Sequence, residues 1–511
     1  MAKSTVFLTG ATGTMGWAGL HELLAHKENY NIRILARRSE KNLKKLAPIQ
    51  DQIEIVWGDL TKYEDVLKGV TGADFVFHVG GMVSPMADYR PKATRRTNIT
   101  AAENITKAVL AQEKQPKVVY IGSVAQMGDR REPLHWGRTG DPICVSAYDH
   151  YGVTKAMAER IITNSGIKQW VSLRQSGILY PAILKNYDPI MFHVPIRGVL
   201  EWATVEDSGR LIERICRPEV PAEFWNRYYN IGSGDQYRIS NYKFEILLLK
   251  AIGCPPPTRI FNANWFTTRN FHGMWYYDGD VLENYIHFRA NEPIEDYFKK
   301  MAKSDTLPTG LKIAVRSKLV YASYLVPHIV KLAMYAMAMS KEHGTQWWIR
   351  HNKQQRISAY YGSLEAYKAI KPWSETDLSE PSRENIVLLD HGYDENKPME
   401  DFTIEDMQKA AAFRGGKCLS ETMVKGDWDT QLEWEAANGE RFMATPRLIL
   451  LGGHWAPSDM PWPYEGEENC RPWHWDEVAK HNPFFAQLWA PLHDADENNV
   501  YDYHVFDGWE K

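Results

Sequence analysis

STVFLTGATGTMG, residues Ser4 to Gly16, is the stretch that decides the fold. Thr5 to Thr9 are β-branched, aromatic or aliphatic and read as a buried strand. Gly10, Gly13 and Gly16 follow at the spacing G-x-x-G-x-x-G, and Trp17 to Leu24 continue with helical periodicity. The reading is a strand, a tight turn and the first turn of a helix. Gly10 permits the turn, Gly13 leaves room for a pyrophosphate against the backbone, and Gly16 lets helix and strand pack closely. The helix N-terminus then faces the phosphates. Three spaced glycines alone are a weak signal; the strand before them and the helix after them make this a dinucleotide site.

Further along, Asn31 to Ala36 read as a second strand that ends at Arg37-Arg38-Ser39. An acidic residue there would bind the ribose 2′-hydroxyl of NAD, whereas two arginines suit a 2′-phosphate, so NADP is favoured over NAD. The alternative is a pair of solvated charges at a strand end, or use of both cofactors. Ile53 to Trp57 form the third strand, followed by Gly58-Asp59-Leu60; Asp59 either accepts from an adenine amino group or caps the helix beginning near Tyr63. Phe75 to Val79 form the fourth strand and end at Gly80-Gly81, where backbone can lie against a cofactor. His78 reads as a packed strand residue. A helix from Lys92 to Gln112 carries Asn98, and Val118 to Gly122 form the fifth strand.

Ser123 follows that strand, at the carboxyl edge where open α/β sheets bind ligands. Tyr151 and Lys155 are four apart and share a helix face. A free phenol, with a pKa of about 10, exchanges protons poorly at neutral pH, and a neighbouring ammonium is expected to lower that value. Tyr151 then exchanges a proton with a carbonyl or alcohol oxygen that Ser123 holds by a hydrogen bond. Tyr148 and His150 are second choices.

These residues together resemble the extended short-chain dehydrogenase/reductases of the NAD-dependent epimerase/dehydratase type, over residues 1 to about 300. The likeness rests on Thr9 to Gly16, Gly58-Asp59-Leu60, His78-Val79-Gly80-Gly81, Asn98 with Asn104, Ser123, and Tyr151 with Lys155. Leu173 to Pro181, Val205-Glu206-Asp207 and Tyr229 to Gly234 match later landmarks. The resemblance implies an α/β fold: a Rossmann doubly wound parallel sheet over 1–180, with a smaller α/β substrate subdomain interleaved at 181–305. It implies a Ser123, Tyr151 and Lys155 catalytic set, in which Lys155 also binds the nicotinamide ribose. Cofactor contacts are implied at Thr9, Gly10, Thr12, Gly13, Thr14, Met15, Gly16, Arg37, Arg38, Asp59, Leu60, Val79, Gly80, Gly81 and Asn98, besides Tyr151 and Lys155. The departures are Gly80-Gly81 where alanines are commoner, Gln175 in place of a proline, and Pro181 directly after Tyr180. Val124 and Ala125 follow Ser123 where dehydratases of the family carry an Asp-Glu pair, which disfavours dehydration. The expected function is NADPH-dependent interconversion of a carbonyl and an alcohol. Aromatic residues in 190–195 and 261–277 point to a small hydrophobic substrate, with ordinary core packing as the alternative. A nucleotide-sugar epimerase and a non-catalytic NADP sensor are the competing functions.

The remaining chain is less legible. It has 511 residues, too many for one core, a net charge of −4 that implies no nucleic-acid partner, and five cysteines without a C-x-x-C pair. The first strand begins almost at Met1, so no cleaved presequence and a cytoplasmic setting are expected. Residues 319–339 are mostly apolar and read as helices broken at Pro327, with a membrane-surface helix or a span as alternatives. Residues 306–420 read as a helical extension and linker, in which Thr403 caps a helix stopped at Gly415-Gly416. Residues 421–511 read as a small aromatic-rich unit with the rhythm of a zinc ribbon around Leu432–Phe442 and Gly452–Pro457, but lacking its cysteines. His454, His474, His481, His493 and His504 lack ligand spacing, so no metal is expected. This tail either closes over the substrate cleft or makes a subunit contact, as in a homodimer.

Overall fold

Val6, Phe7 and Leu8 are fully buried because the strand that holds them lies inside a seven-stranded parallel sheet. The structure, a computed structural model, describes residues 3–185, 187–303, 325–464 and 469–503. Its strands are β1 (Ser4–Thr9), β2 (Tyr30–Ala36), β3 (Glu54–Trp57), β4 (Phe75–His78), β5 (Lys117–Ser123), β6 (Trp170–Gln175) and β7 (Arg227–Ile231), in the order β7-β6-β5-β4-β1-β2-β3. β1 pairs with β2 on one side and β4 on the other. The winding reverses between those neighbours, which makes the crevice above β1 and β4 the place for a ligand. Four helices matter for the site: α1 (Thr14–Ala25), α2 (Pro91–Leu110), α3 (His150–Thr163) and α4 (Val205–Ile215). Apolar cores cover the two faces of the sheet, one including Val6, Leu8, Leu20, Ile34 and Ile212, the other Phe7, Val76, Ile105 and Val118. This is the doubly wound α/β architecture that the glycine turn announces. The interleaving of residues 181–305 takes a definite form, since β7 returns from that region to complete the sheet.

The chain beyond residue 325 does not stand apart. Val124, Met127, Tyr148 and Val153, at the carboxyl edge of the sheet, share one core with Trp348, Tyr360, Trp473 and Trp475. Helices Leu325–Ala338, Thr345–Arg350, Gln354–Tyr361 and Leu364–Lys368 occupy the region read as helical, the first running through Pro327 in its first turn rather than breaking there, while 304–324 lies outside the described residues. An irregular strap then crosses the N-terminal half. His391 bridges Asp141 (2.9 Å) and Glu395 (2.7 Å), and Ser382 carbonyl oxygen meets His135 (2.6 Å). Helix Ile404–Phe413 starts as expected, with Thr403 N–H donating to Asp406 at 2.8 Å.

The zinc-ribbon rhythm needs correcting. Leu432–Glu435 and Arg441–Ala444 form a hairpin, with Lys417–Cys418 as a third antiparallel strand. Gly452 to Pro457 contains no strand. It is shaped instead by docking: His454 reaches the Glu159 carboxylate on α3 at 2.9 Å, and Gly452 carbonyl oxygen accepts from Arg174 at 2.6 Å. Arg174 also bonds Glu159 at 2.7 and 3.1 Å, and Ser172 Oγ donates to it at 2.6 Å. All four side chains are fully buried. Burial alone would raise Glu159, but Arg174 and His454 hold it well below the usual carboxylate range. A buried pair of this kind makes either deletion costly, about 3–5 kcal/mol, because one charge is left uncompensated. Burial pushes the His454 imidazole down to about 4, so it is neutral in the fold.

A depressed histidine pKa stabilises the fold fully above the ordinary value near 6.5, and that contribution fades as pH falls toward the folded value, over a range worth roughly 3 kcal/mol. Urea unfolding of wild type and His454→Gln should therefore show a stability gap at about pH 7 that narrows by about pH 4.5. A gap that is the same at both pH values would contradict a neutral His454.

Candidate functional site

The glycine turn is built by close backbone approach. Gly10 has φ +71°, and a Cβ on it would sit 2.7 Å from Gly80 Cα. A Cβ on Gly16 would be 2.2 Å from Gly10 carbonyl oxygen, so only glycine lets α1 start there. Gly13 is the N-cap of α1; no side chain caps that end and its first turn holds no acidic residue. Gly13 and Thr14 are exposed, Thr12 is half-buried, and Met15 turns into the core, so only its backbone faces the turn. Thr9 ties the turn to β4: its Oγ accepts from Gly80 N–H at 3.0 Å and hydrogen-bonds with His78 Nδ1 at 3.1 Å. His78 is thus a packed strand residue, pushed down to about 3 by burial and by nearby Lys155. Leu60 packs beneath Gly80, and Val79 is half-buried beside it. Lys45 donates to Thr12 carbonyl oxygen at 2.9 Å and lies 4.1 Å above the Trp17 ring, a contact with no local sequence signal.

Arg37 and Arg38 are exposed at the end of β2. Asp59 accepts from Thr61 N–H (2.9 Å) and Oγ (2.8 Å). Burial works to raise the Asp59 carboxyl, but these bonds and the Arg37 charge hold it below its ordinary value. Asn98 is a clasp: it accepts from Met82 N–H (2.7 Å) and donates to Met82 carbonyl oxygen (3.0 Å) and Thr154 Oγ (2.9 Å). It fixes the chain after Gly81 to α3. Asn104 donates to Leu60 carbonyl oxygen at 2.9 Å.

Ser123 is the last residue of β5 rather than the first beyond it, and its side chain lies near enough to Tyr151 on α3 to pull the phenol's pKa down. Lys155, one turn on, lies 4.4 Å above the Tyr120 ring, whose hydroxyl donates to Lys155 carbonyl oxygen at 2.9 Å. The structure therefore brings the three predicted groups to one place. The expected electrostatics differ. Burial pushes the Tyr151 phenol up to about 12, against the downward pull of Ser123. Burial likewise pushes Lys155 down to about 7, partly offset by Glu159. Loss of solvent dominates, opposed by Ser123 rather than by the expected ammonium, and Tyr151 is a phenol, the proton-donating form, at neutral pH. The second choices are structural: Tyr148 donates to Gln355 at 2.9 Å, and His150 is packed against Trp473 and Tyr503.

A pocket adjoins the N-terminus of α3. Its wall comes from the segment after β4 (Ser84, Pro85, Asp88, Tyr89), the approach to α3 (Ser146, Tyr148, Asp149), the segment after β6 (Asp188, Ile190, His193), Asn270 to His272, and the C-terminal extension (His343, Arg356, Tyr360). Asp149 caps α3 through Gly152 N–H at 2.7 Å and meets His272 at 3.0 Å. Tyr89 donates to Asp188 at 3.0 Å. Asp88 Oδ1 is sealed from solvent with no hydrogen-bond partner among the described residues. Burial and the nearby Asp149 charge raise the Asp88 carboxyl well above the usual range. Arg356 stacks on Tyr148 at 3.9 Å, and burial holds His193 and His343 down to about 3, so both are neutral. The residues expected to line a pocket divide: Phe192, Phe261, Trp265 and Phe266 pack on one another as core, while Ile190, His193, Asn270, Phe271 and His272 line the pocket with Tyr89, Tyr148 and Tyr360. Among the described residues no cluster of His, Cys, Asp and Glu is placed to hold a metal ion.

Sequence reading missed the pocket's acidic wall. Asp149 presents locally as a helix cap, and Arg356 and His343 sit about two hundred residues from α3 with no motif around them.

A family model, the NAD dependent epimerase/dehydratase family, matches residues 6–174. A UDP-glucose 4-epimerase of Rickettsia bellii is 30% identical over 124 residues, 23% of this chain and 36% of that protein. The human 3 beta-hydroxysteroid dehydrogenase type 7 is 25% identical over 165 residues, 32% of this chain and 44% of that protein. The chain thus spans less than half the length of these curated relatives. A dTDP-glucose 4,6-dehydratase from Bacillus anthracis, solved with NAD, superposes with a TM-score of 0.47 at 16% identity, covering 59% of this chain and 96% of that one. The glycine turn, Ser123, Tyr151 and Lys155 all fall within residues 6–174, the segment that is similar to the NAD dependent epimerase/dehydratase family.

Proposed function

We propose that the chain is an oxidoreductase that interconverts a carbonyl and an alcohol with a nicotinamide cofactor, NADP(H) in preference to NAD(H). The observation that carries this is the placement of Ser123, at the end of β5, beside Tyr151 on α3, with Lys155 one helical turn on. The turn from Thr9 to Gly16 fits a dinucleotide: its glycines keep the crevice clear and α1 presents an uncapped N-terminus to a pyrophosphate. Arg37 and Arg38 fit a 2′-phosphate. When bound, the cofactor donates or accepts the hydride. Ser123 holds the substrate oxygen, Tyr151 gives that oxygen its proton or takes it back, and Lys155 binds a ribose hydroxyl and supports the phenolate.

The substrate's place is the pocket before α3. Its carboxylates Asp149 and Asp188 repel a diphosphate, and among the described residues Arg356 is the only Lys or Arg in its wall. This favours an uncharged or basic carbonyl compound with hydroxyl or amino groups over both a nucleotide sugar and a wholly apolar ketone. The epimerase reading draws on the family match and the Rickettsia relative; it would show as sugar interconversion without net cofactor consumption.

Three outcomes follow. NADPH oxidation should appear with uncharged or basic carbonyl compounds and be absent with nucleotide sugars; epimerised sugar with no NADPH consumed would replace this reading by the alternative. Tyr151→Phe should lower kcat by about a hundredfold or more with cofactor affinity unchanged by fluorescence titration, and near-normal turnover would remove Tyr151 from the mechanism. Arg37→Ala with Arg38→Ala should weaken NADPH by roughly tenfold and spare NADH, whereas equal losses would overturn the NADP preference.

A further inference from the structure

The helix Leu325–Ala338 is apolar on more than one face. Val330, Met334 and Met337 pack toward Phe192, Ile260 and Trp265. On the other side Ile329 is 63% exposed and Leu332 67%, with Ala333 and Ala336 exposed among them, while Tyr335, 43% exposed, lies at the margin against the Trp265 ring. The spacing 329, 332, 336 keeps these side chains on one face. A surface helix of a water-soluble protein places charge there; this helix places Ile and Leu.

The charge around it is one-sided. From Leu325 to Lys341 the sequence has no Asp or Glu and two lysines, half-buried Lys331 and exposed Lys341, in a chain whose net charge is −4. The segment before α2 carries a second set of the same character: Val83 (56%) and Met86 (53%) are exposed, followed by exposed Arg90 and Lys92. The Tyr89 ring lies 3.9 Å from His343, just beyond the helix, so the two elements meet at the pocket.

We propose that the Leu325–Ala338 helix seats the protein on an anionic bilayer surface, lying in the interface with Ile329 and Leu332 among the acyl chains. Exposed apolar side chains with Lys331, Lys341, Arg90 and Lys92 on or beside the same two elements are what an anionic lipid surface attracts. A second copy of the same face would bring these cations against each other. A span is not available to it: fourteen residues rise about 21 Å, short of a hydrocarbon core of about 30 Å. Among the described residues no helix is long and apolar enough to cross a membrane.

The test is co-sedimentation of the full-length protein with phosphatidylcholine vesicles, with and without phosphatidylserine. Wild type should pellet with the phosphatidylserine vesicles and be released by high salt. Ile329→Glu with Leu332→Glu, and separately Leu332→Ser, should bind at least about tenfold and a few-fold less, with unchanged near-UV circular dichroism. Wild type left in the supernatant, or a folded double variant that pellets like wild type, would overturn the proposal. So would light scattering that shows a dimer of wild type dissolved by the same substitutions, since the face would then be covered by a second copy.

Discussion

One carboxylate, that of Glu159, joins the chemistry of this molecule to its architecture. It lies on the same helix as Tyr151 and Lys155, and it is the anchor for Arg174 of β6, Ser172 and His454. Its charge is tolerable in the interior because Arg174 and His454 satisfy it from both sides. The same charge favours the protonated form of Lys155, which burial opposes. The helix that presents the phenol is therefore held from beneath by the sheet and from outside by the last third of the chain.

That arrangement accounts for what was and was not legible in the sequence. The turn at Gly10, Gly13 and Gly16 could be read because close approach demands residues without side chains at fixed spacing, and Tyr151 with Lys155 because a helix brings residues four apart together. Even the cap at Thr403 is a local rule. The electrostatics were not readable: the direction of the Tyr151 shift depends on how completely α3 is covered, and the cover comes from Trp348, Trp473 and their neighbours, hundreds of residues away. The pocket was legible only in part for the same reason. Its acidic wall is assembled from five separated segments, and Phe261, Trp265 and Phe266, which resembled a lining, are spent on one another in the core. The zinc-ribbon rhythm misled because Gly452 to Pro457 is shaped by what His454 must reach, which no local pattern reports.

The family match ends at residue 174, yet the sheet does not, since β7 is needed to complete it. Nor does the pocket. Asp88, Asp149 and Asp188 come from the N-terminal half, and the groups facing them, His343, Arg356 and Tyr360, come from beyond residue 325. Arg356 stacks on the ring of Tyr148, which stands three residues before Tyr151 in sequence.

That shared wall has a consequence for how such a protein can be dissected or can diverge. A fragment ending near residue 303 would keep the nucleotide turn but lose one side of its ligand chamber, and it would lay bare Val124, Met127 and Val153 to water. The appended third is thus no passenger to be trimmed or exchanged at will. Changes in ligand preference among proteins of this build should arise as matched pairs of substitutions, one upstream of α3 and one in the appendage, because neither half alone determines the shape of the space between them.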